Sequence, residues 1–245
     1  MNYLNMKPLL DELRNKLTTD EEYKCLAILQ GTHKDSMNYV RGMKKQGIKY
    51  NIHFDTFIMS DDEPILPQLN KLRTVWKQYN AVIPILPLSD KVQKWIRYHI
   101  NMFKDVDNFS GENKFYNHCT AEAIILLLNY LNIGIDSDVL VIGRNTGRHV
   151  FDTLIQHDYT CTLAHSLTHC LSKHVICSDV VISATGERDL ITPSCVRPNS
   201  FILDVGLGDV HEDVTKIAHV TSRKNGIGAL TTLVLLNHIQ GRRFI

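Results

Sequence analysis

The apolar residues of the chain recur first at helical and then at strand-like intervals. Near the N-terminus four leucines share one helical face and predict a helix with a buried side: Leu9, Leu10, Leu13 and Leu17. A continuous apolar run from Cys25 to Leu29 predicts a buried strand. A second helical stripe follows Pro64 and consists of Leu66, Leu69, Leu72, Val75 and Trp76. The N-terminal part is therefore predicted to mix helices with strands.

The middle of the chain predicts two more helices separated by a polar stretch. The apolar run 81–88 contains two prolines, and each removes a hydrogen-bond donor, so we expect a strand that ends in a loop. Helical spacing follows at residues 92–100. Residues 104–120 are polar and irregular, which marks the predicted domain boundary. Thr120 is then expected to cap a helix too apolar for a surface position.

The second half of the chain alternates continuous apolar strands with helices. Strands are predicted at Val139–Ile142, Tyr159–Ala164, Val180–Ala184 and Phe201–Val205, and helices at 148–157, 168–177 and 229–239. Strands rich in Val, Ile and Leu that alternate with helices are typical of a parallel sheet covered on both faces. We therefore predict an α/β protein whose ligands bind at the carboxyl ends of the strands.

Composition and charge narrow the classes of partner. The 245 residues are enough for two ordinary domains. The 27 basic and 26 acidic residues leave no summed field to attract phosphate backbones or an anionic membrane, so no nucleic-acid or membrane partner is expected. The N-terminal segment carries acids within its apolar pattern, unlike a signal peptide. Six cysteines lie scattered without CxxC pairs, which indicates a reducing cytoplasm.

One glycine turn carries the sharpest local signal. The buried strand Val139–Ile142 runs into Gly143-Arg144-Asn145-Thr146-Gly147 and then into a predicted helix. Glycine lets the backbone approach a pyrophosphate, and a helix N-terminus supplies free amides and a positive dipole. The turn is therefore a candidate nucleotide-binding loop, and the open alternative is a tight turn that binds nothing.

Longer motifs resemble one enzyme family along nearly the whole chain. They are Ser36-Met37-Asn38-Tyr39-Val40, Lys104-Asp105-Val106-Asp107, His165-Ser166-Leu167-Thr168, Ser178 to Gly186, and Ile202-Leu203-Asp204-Val205-Gly206. The chain thus resembles the methylenetetrahydrofolate dehydrogenase/methenyltetrahydrofolate cyclohydrolase family. The resemblance implies a folate domain of residues 1–120, completed by a C-terminal helix at 229–245, and a Rossmann-like, doubly wound NADP domain of residues 121–228. It also implies NADP as cofactor, tetrahydrofolate derivatives as substrates and a homodimer.

The resemblance also assigns site residues. Tyr39 would stack on the folate, and Asp107 would accept hydrogen bonds from pterin N–H groups. Arg144 and Ser166 match positions that hold the cofactor's 2′-phosphate, which favours NADP over NAD. The remaining cofactor positions are Gly143, Asn145, Gly147, His165, Thr185 and Gly186, and the remaining substrate positions are Leu86, Pro87, Gly226 and Gly228. Catalysis is assigned to Lys44, Tyr39 and Asp107.

The chain departs from the family at active-site positions. The family's lysine four residues after Tyr39 is Met43 here, and the adjacent Lys44 is the candidate substitute. The family's glutamine is Ile85, and its Pro-Cys-Thr-Pro is His118-Cys119-Thr120-Ala121. Hydride transfer chiefly requires two carbons held close together, whereas hydrolysis of the methenyl group requires an acid/base group. We therefore expect dehydrogenase activity to outlast cyclohydrolase activity.

Other interpretations lead to different chemistry. Cys170, His174 and Cys177 share one helical face, but their spacing matches no common zinc finger and free cysteines are often simply buried, so no metal is predicted. His118 beside Cys119 is a thiol–imidazole pair, yet sequence neighbours rarely form a catalytic dyad. The alternative function is a degenerate paralogue that binds folate, nucleotide or a protein partner without turnover. A different Rossmann dehydrogenase is the third.

Overall fold

A computed structural model describes residues 2–245, which form two compact units. The N-terminal unit consists of Arg14–Cys119 together with Thr232–Phe244. The C-terminal unit consists of Thr120–Thr231 together with the residues up to Leu13 and Ile245. No helix of the described residues is both long and apolar enough to span a membrane. The assignment of the units to folate and NADP stays a prediction.

The N-terminal unit is built on a three-stranded parallel sheet. The elements of the first hundred residues are α1 (Lys7–Lys16), β1 (Tyr23–Gln30), α2 (Lys34–Gly47), β2 (Ile52–Met59), α3 (Ile65–Val75), β3 (Ala81–Pro84) and α4 (Asp90–His99). The strand order is β2-β1-β3, so β1 has a partner on each side. One face of β1, with Leu26 and Ile28, packs in a core cluster with Leu72 of α3 and Ile96 of α4. The central strand is therefore as apolar as its sequence predicts.

The C-terminal unit is built on a five-stranded parallel sheet of order β5-β4-β6-β7-β8. The elements from residue 119 onward are α5 (Cys119–Tyr130), β4 (Val139–Ile142), α6 (Asn145–Gln156), β5 (Cys161–Ala164), α7 (Leu171–Cys177), β6 (Val180–Ser183), β7 (Phe201–Asp204), β8 (His219–Val220) and α8 (Ile227–Ile239). The chain winds outward from β4 in both directions, which opens a crevice at the carboxyl ends of the strands. The predicted α/β fold with a doubly wound parallel sheet is confirmed.

Four predicted helix starts differ from those observed, and one of them is α8, which begins at Ile227 and not at residue 229. α6 begins at Asn145, directly after the glycine turn, and not at residue 148. α7 begins only at Leu171, because Cys170 has a left-handed backbone with φ of 53°. α5 begins at Cys119, so Thr120 lies inside its first turn and does not cap it. Instead, the carboxylate of Asp107 accepts a hydrogen bond from the Cys119 N–H.

Candidate functional site

The N-terminal unit contains a cleft, here called the N-terminal cleft, at the carboxyl ends of β1 and β3. Its volume is about 590 Å³. Its walls come from around the start of α2, from the loop after β3 and from the segment before α5: His33, Asp35, Ser36 and Tyr39; Ile83, Pro84, Ile85, Leu86 and Pro87; Asp107, Phe109 and His118. Four predicted substrate residues therefore share one cleft, namely Tyr39, Leu86, Pro87 and Asp107.

The motif Lys104-Asp105-Val106-Asp107 divides into structural and cleft-facing parts. The Lys104 ammonium donates to the carbonyl oxygens of Trp76, Lys77 and Tyr79, and so ties the segment to the end of the α3 region. The buried Asp105 carboxylate accepts from the N–H groups of Phe109 at 2.7 Å and Ser110 at 2.9 Å. Burial raises the pKa of Asp105 by more than the bonds to Ser110 and Phe109 lower it. These anchors leave Asp107 to face the cleft.

Two contacts fix the surroundings of Asp107. Its Oδ1 accepts a 2.8 Å hydrogen bond from the N–H of Cys119, the first residue of α5. The Nδ1 of His118 lies 4.0 Å from the same oxygen, with the His118 side chain 19% exposed and the Asp107 side chain 33% exposed. The first contact leaves the second carboxylate oxygen available to a ligand. His118, which is next to Cys119 in sequence, therefore has the Asp107 carboxylate beside its imidazole.

Tyr39 stands on α2 at the edge of the cleft. It keeps 48% of its surface exposed, so an aromatic face is available for stacking. Local burial raises the pKa of its hydroxyl, and the nearby Asp107 carboxylate raises it further. Because its pKa is raised, Tyr39 is a neutral phenol in the neutral pH range.

Ser36 lies one turn earlier on α2. It donates a 2.9 Å hydrogen bond to the Leu86 carbonyl and so fixes the loop after β3 against the helix.

Two of the departures from the family pattern are apolar and buried in the structure. Met43 is 2% exposed, and Ile85 is 7% exposed on the cleft wall. Successive helical side chains point about 100° apart, so Lys44 leaves α2 in a different direction from Met43. Lys44 is half-buried and is not among the described residues that line the cleft. Its catalytic role stays a prediction.

The C-terminal unit contains a second cavity, here called the C-terminal cavity, at the carboxyl ends of β4, β5 and β6. Its volume is about 540 Å³. Six of the predicted cofactor residues line it: Gly143, Arg144 and Asn145 after β4, His165 and Ser166 after β5, and Thr185 after β6. Two do not: Gly147 packs beneath the turn, where an added Cβ would lie 3.3 Å from the Ile142 oxygen, and Gly186 follows Thr185 with φ of 72°.

The glycine turn joins β4 closely to the start of α6. Gly143 has φ of 139°, and a Cβ there would lie 2.6 Å from the carbonyl oxygen of Ala184. Glycine therefore lets the backbone after β6 approach the turn closely, and α6 begins two residues later at Asn145. The Arg144 Nη2 donates a 3.1 Å hydrogen bond to the Ser166 Oγ. A guanidinium and a hydroxyl thus stand together where a second phosphate could bind.

The negative charge in this cavity depends on where carboxylates lie along its wall. No carboxylate occupies the end of β5, where NAD-binding folds place an acid for the ribose hydroxyls, because that segment is Ala164-His165-Ser166. Glu187 lines the cavity beside Thr185, and its N–H donates to the Thr185 Oγ1 at 3.0 Å. Glu187 was not predicted as a site residue, although the sequence shows an acid directly after Thr185-Gly186.

The remaining predicted positions lie elsewhere. Gly226 is buried just before α8 and Gly228 is exposed in its first turn, both within the C-terminal unit, and their contact with substrate stays a prediction. No three His, Cys, Asp or Glu side chains of residues 2–245 are grouped to hold a metal. The Sγ of Cys119 lies 3.6 Å from the Nδ1 of the buried His238, and not with His118 in a dyad.

Comparisons with known proteins match the sequence to one family. The family model for the tetrahydrofolate dehydrogenase/cyclohydrolase NAD(P)-binding domain matches residues 118–242. The bifunctional protein FolD of Clostridium novyi is 32% identical to the chain and aligns over 95% of this chain and 96% of its own.

Two solved structures share the fold. The bifunctional FolD enzyme of Campylobacter jejuni aligns with a TM-score of 0.85 and 23% identity, over 97% of this chain and 96% of that one. The FolD of Trypanosoma brucei, solved with NADP and an inhibitor, aligns with a TM-score of 0.81 and 23% identity, over 96% of this chain and 93% of that one.

Proposed function

The chain belongs to the tetrahydrofolate dehydrogenase/cyclohydrolase family, and we propose that it oxidises methylenetetrahydrofolate to methenyltetrahydrofolate with NADP as the hydride acceptor. The observation that carries the proposal is the pair of cavities, one with Tyr39 and Asp107 and the other with the glycine turn and Arg144. A two-substrate hydride transfer requires one site for each ligand.

The residues of the C-terminal cavity fit NADP, which when bound supplies the carbon that accepts the hydride. The N-terminus of α6, which follows the turn at Gly143, would hold the pyrophosphate, because the amides of the first helical turn and the helix dipole favour negative charge. Arg144 and Ser166 would hold the 2′-phosphate through charge-assisted hydrogen bonds. The NADP complex of the T. brucei protein supports this choice of cofactor.

The N-terminal cleft would bind and orient the folate. Tyr39 offers a ring face to the pterin, and the Asp107 carboxylate accepts hydrogen bonds from ring N–H groups. Loss of hydride from the methylene carbon leaves a resonance-stabilised cation and releases no proton from that carbon, so positioning carries this step. Met43 and Ile85 move no proton, so hydrolysis of the product is the slower of the two family reactions.

The proposal extends to the setting of the protein. We infer a cytoplasmic homodimer that acts on tetrahydrofolate derivatives and has no nucleic-acid or membrane partner. The balance of 27 basic and 26 acidic residues supports this, because the chain has no net charge that would attract nucleic acid or an anionic membrane. Residues 1–120 with the helix 229–245 would form the folate domain, and residues 121–228 the NADP domain.

One assay separates this function from a degenerate paralogue that binds without turnover. The purified protein is mixed with methylenetetrahydrofolate and NADP, and the near-ultraviolet absorbance of the reduced cofactor is followed. Steady growth of that absorbance supports the proposal. Ligands that raise the melting temperature without any turnover would favour the paralogue instead, because binding to the native state alone stabilises it.

A further inference from the structure

We infer that His118 is the acid/base residue for hydrolysis of methenyltetrahydrofolate in the N-terminal cleft. The inference rests on the proposed function, because methenyltetrahydrofolate is the product of the proposed oxidation. The structure places this imidazole on the wall of the same cleft as Tyr39 and next to Asp107.

The reaction needs a group that both accepts and returns a proton. A water oxygen forms a bond to the methenyl carbon while one water proton passes to a base, which gives a neutral carbinolamine. One carbon–nitrogen bond then breaks, its nitrogen takes the proton back from the protonated base, and the carbinolamine hydroxyl loses its proton to solvent. The balance is one water consumed, one proton released and no change of oxidation state. A placed acid/base group accelerates such steps by roughly 10²–10⁴-fold.

The titratable side chains that line the cleft differ in their fitness for this task. Tyr39 stays a neutral phenol because burial and the Asp107 carboxylate raise its pKa. Asp107 has one oxygen engaged by the Cys119 N–H. His33 and Asp35 are exposed residues around the start of α2. His118 is the mostly buried imidazole of the group, which gives it a fixed position.

The orientation of His118 suits a proton carrier. Its Nδ1 is shielded from solvent and lies 4.0 Å from the Asp107 Oδ1. A carboxylate beside Nδ1 favours the proton on that nitrogen, so Nε2 is the ring nitrogen that would exchange a proton with water in the proposed step. The separation is longer than a hydrogen bond, as is common for catalytic pairs before the substrate is bound. The neighbouring Cys119 N–H, bonded to Asp107, holds the two residues in register.

The part of the cleft wall that comes from β3 and the residue after it supplies no proton acceptor. Ile83, Pro84 and Ile85 are apolar and buried along the end of β3 and the residue after it. Lys44 does not line the cleft among the described residues. The role of acid/base is therefore assigned to His118, the more buried imidazole, in preference to the exposed His33 and Asp35.

The test compares His118→Gln with a matched control, His53→Gln, whose imidazole is exposed on β2 away from the cleft lining. Loss of purified methenyltetrahydrofolate and NADP reduction with methylenetetrahydrofolate are measured on the same preparations. We expect His118→Gln to lose hydrolysis by roughly a hundredfold or more. Its dehydrogenase rate should fall far less, because hydride transfer needs no proton carrier. The control should retain both rates.

A second variant guards against a folding defect. His118→Ala, checked by its melting temperature, is assayed with added free imidazole after subtraction of the imidazole-catalysed buffer rate. Recovery of hydrolysis supports the inference, because a purely structural histidine is not replaced by a soluble base. Hydrolysis at the buffer rate in the parent protein, or full hydrolysis in His118→Gln, overturns it. Hydrolysis that depends on His118 without any NADP reduction would keep the inference and reject the proposed dehydrogenase.

Discussion

The N–H of Cys119 donates a 2.8 Å hydrogen bond to Oδ1 of Asp107, twelve positions earlier in the chain. One carboxylate thus satisfies an unpaired donor at the start of α5 and forms part of the cleft wall. A substitution at Asp107 therefore affects both ligand binding and stability. The two effects can be separated by the choice of the new residue.

We predict that Asp107→Asn weakens folate binding about tenfold to a hundredfold, the worth of a hydrogen bond to a charged group. The amide keeps an oxygen for the Cys119 N–H, so the melting temperature should change little. NADP affinity should not change, because the predicted cofactor residues lie in the other unit. Calorimetry with a folate and with NADP measures both affinities.

The comparison with Asp107→Ala completes this test. Alanine also removes the acceptor for the helix start, so it should cost an additional amount of about 1 kcal/mol in the free energy of unfolding. Unchanged folate affinity in both variants would exclude Asp107 from the substrate site.

Cofactor choice should depend on Arg144. We predict that NADP raises the melting temperature of the parent protein more than NAD does, because the guanidinium and the Ser166 hydroxyl can meet a 2′-phosphate. Arg144→Ala should erase the difference. Arg148→Ala is the matched control, since Arg148 pairs with Asp152 on the surface of α6. Equal stabilisation of the parent by both cofactors would contradict the assignment.

Glu187 should oppose cofactor binding. Its carboxylate lines the same cavity as the glycine turn and would repel the cofactor's phosphates. We predict that Glu187→Gln tightens binding several-fold, and that the reduced cofactor gains more than the oxidised one, which carries an extra positive charge on its ring. Titration with both forms measures this, with Glu112→Gln, an exposed position in the other unit, as the control. Weaker binding of both forms would mean that Glu187 contacts the cofactor favourably.

The glycine turn should tolerate no side chain at its first position. Gly143→Ala would bring a Cβ to 2.6 Å from the Ala184 oxygen at φ of 139°, so we predict a large loss of stability and of NADP binding. Gly186→Ala is the informative contrast. Its φ is 72° and no atom lies within 4 Å of the added Cβ, so the cost should stay near 1 kcal/mol. Thermal unfolding with and without NADP compares the two.

Most strands of the two parallel sheets were predicted from the sequence, because strands buried on both faces consist of continuous apolar runs. β4 and β6 are buried at every position, as their composition predicts. β2 was missed, although Ile52 to Asp55 alternate between buried and exposed, as expected for an edge strand. The family was recognised from its motifs, and the comparisons confirm it.

The cleft was harder to predict because its geometry comes from hydrogen bonds and not from periodicity. The segment before α5 is shaped by the bonds of Asp105 to the Phe109 and Ser110 N–H groups. The same segment brings His118 within 4.0 Å of Asp107, eleven residues away in sequence. The pattern of apolar and polar positions in a sequence does not predict hydrogen bonds and side-chain contacts of this kind.

The last prediction concerns Ile85, which closes one wall of the N-terminal cleft with an apolar side chain. We predict that Ile85→Gln raises the ratio of hydrolysis to dehydrogenase activity. An amide there can hydrogen-bond the attacking water, and the family places glutamine at this position. The change should also lower the free energy of unfolding by about 1–3 kcal/mol, because Ile85 is buried and a polar group there is desolvated. Ile85→Leu keeps the wall apolar at similar volume and should leave the ratio unchanged. Both rates are measured on the same preparation of each variant. A ratio in Ile85→Gln that matches the Ile85→Leu value would mean that the polarity of this wall does not limit hydrolysis.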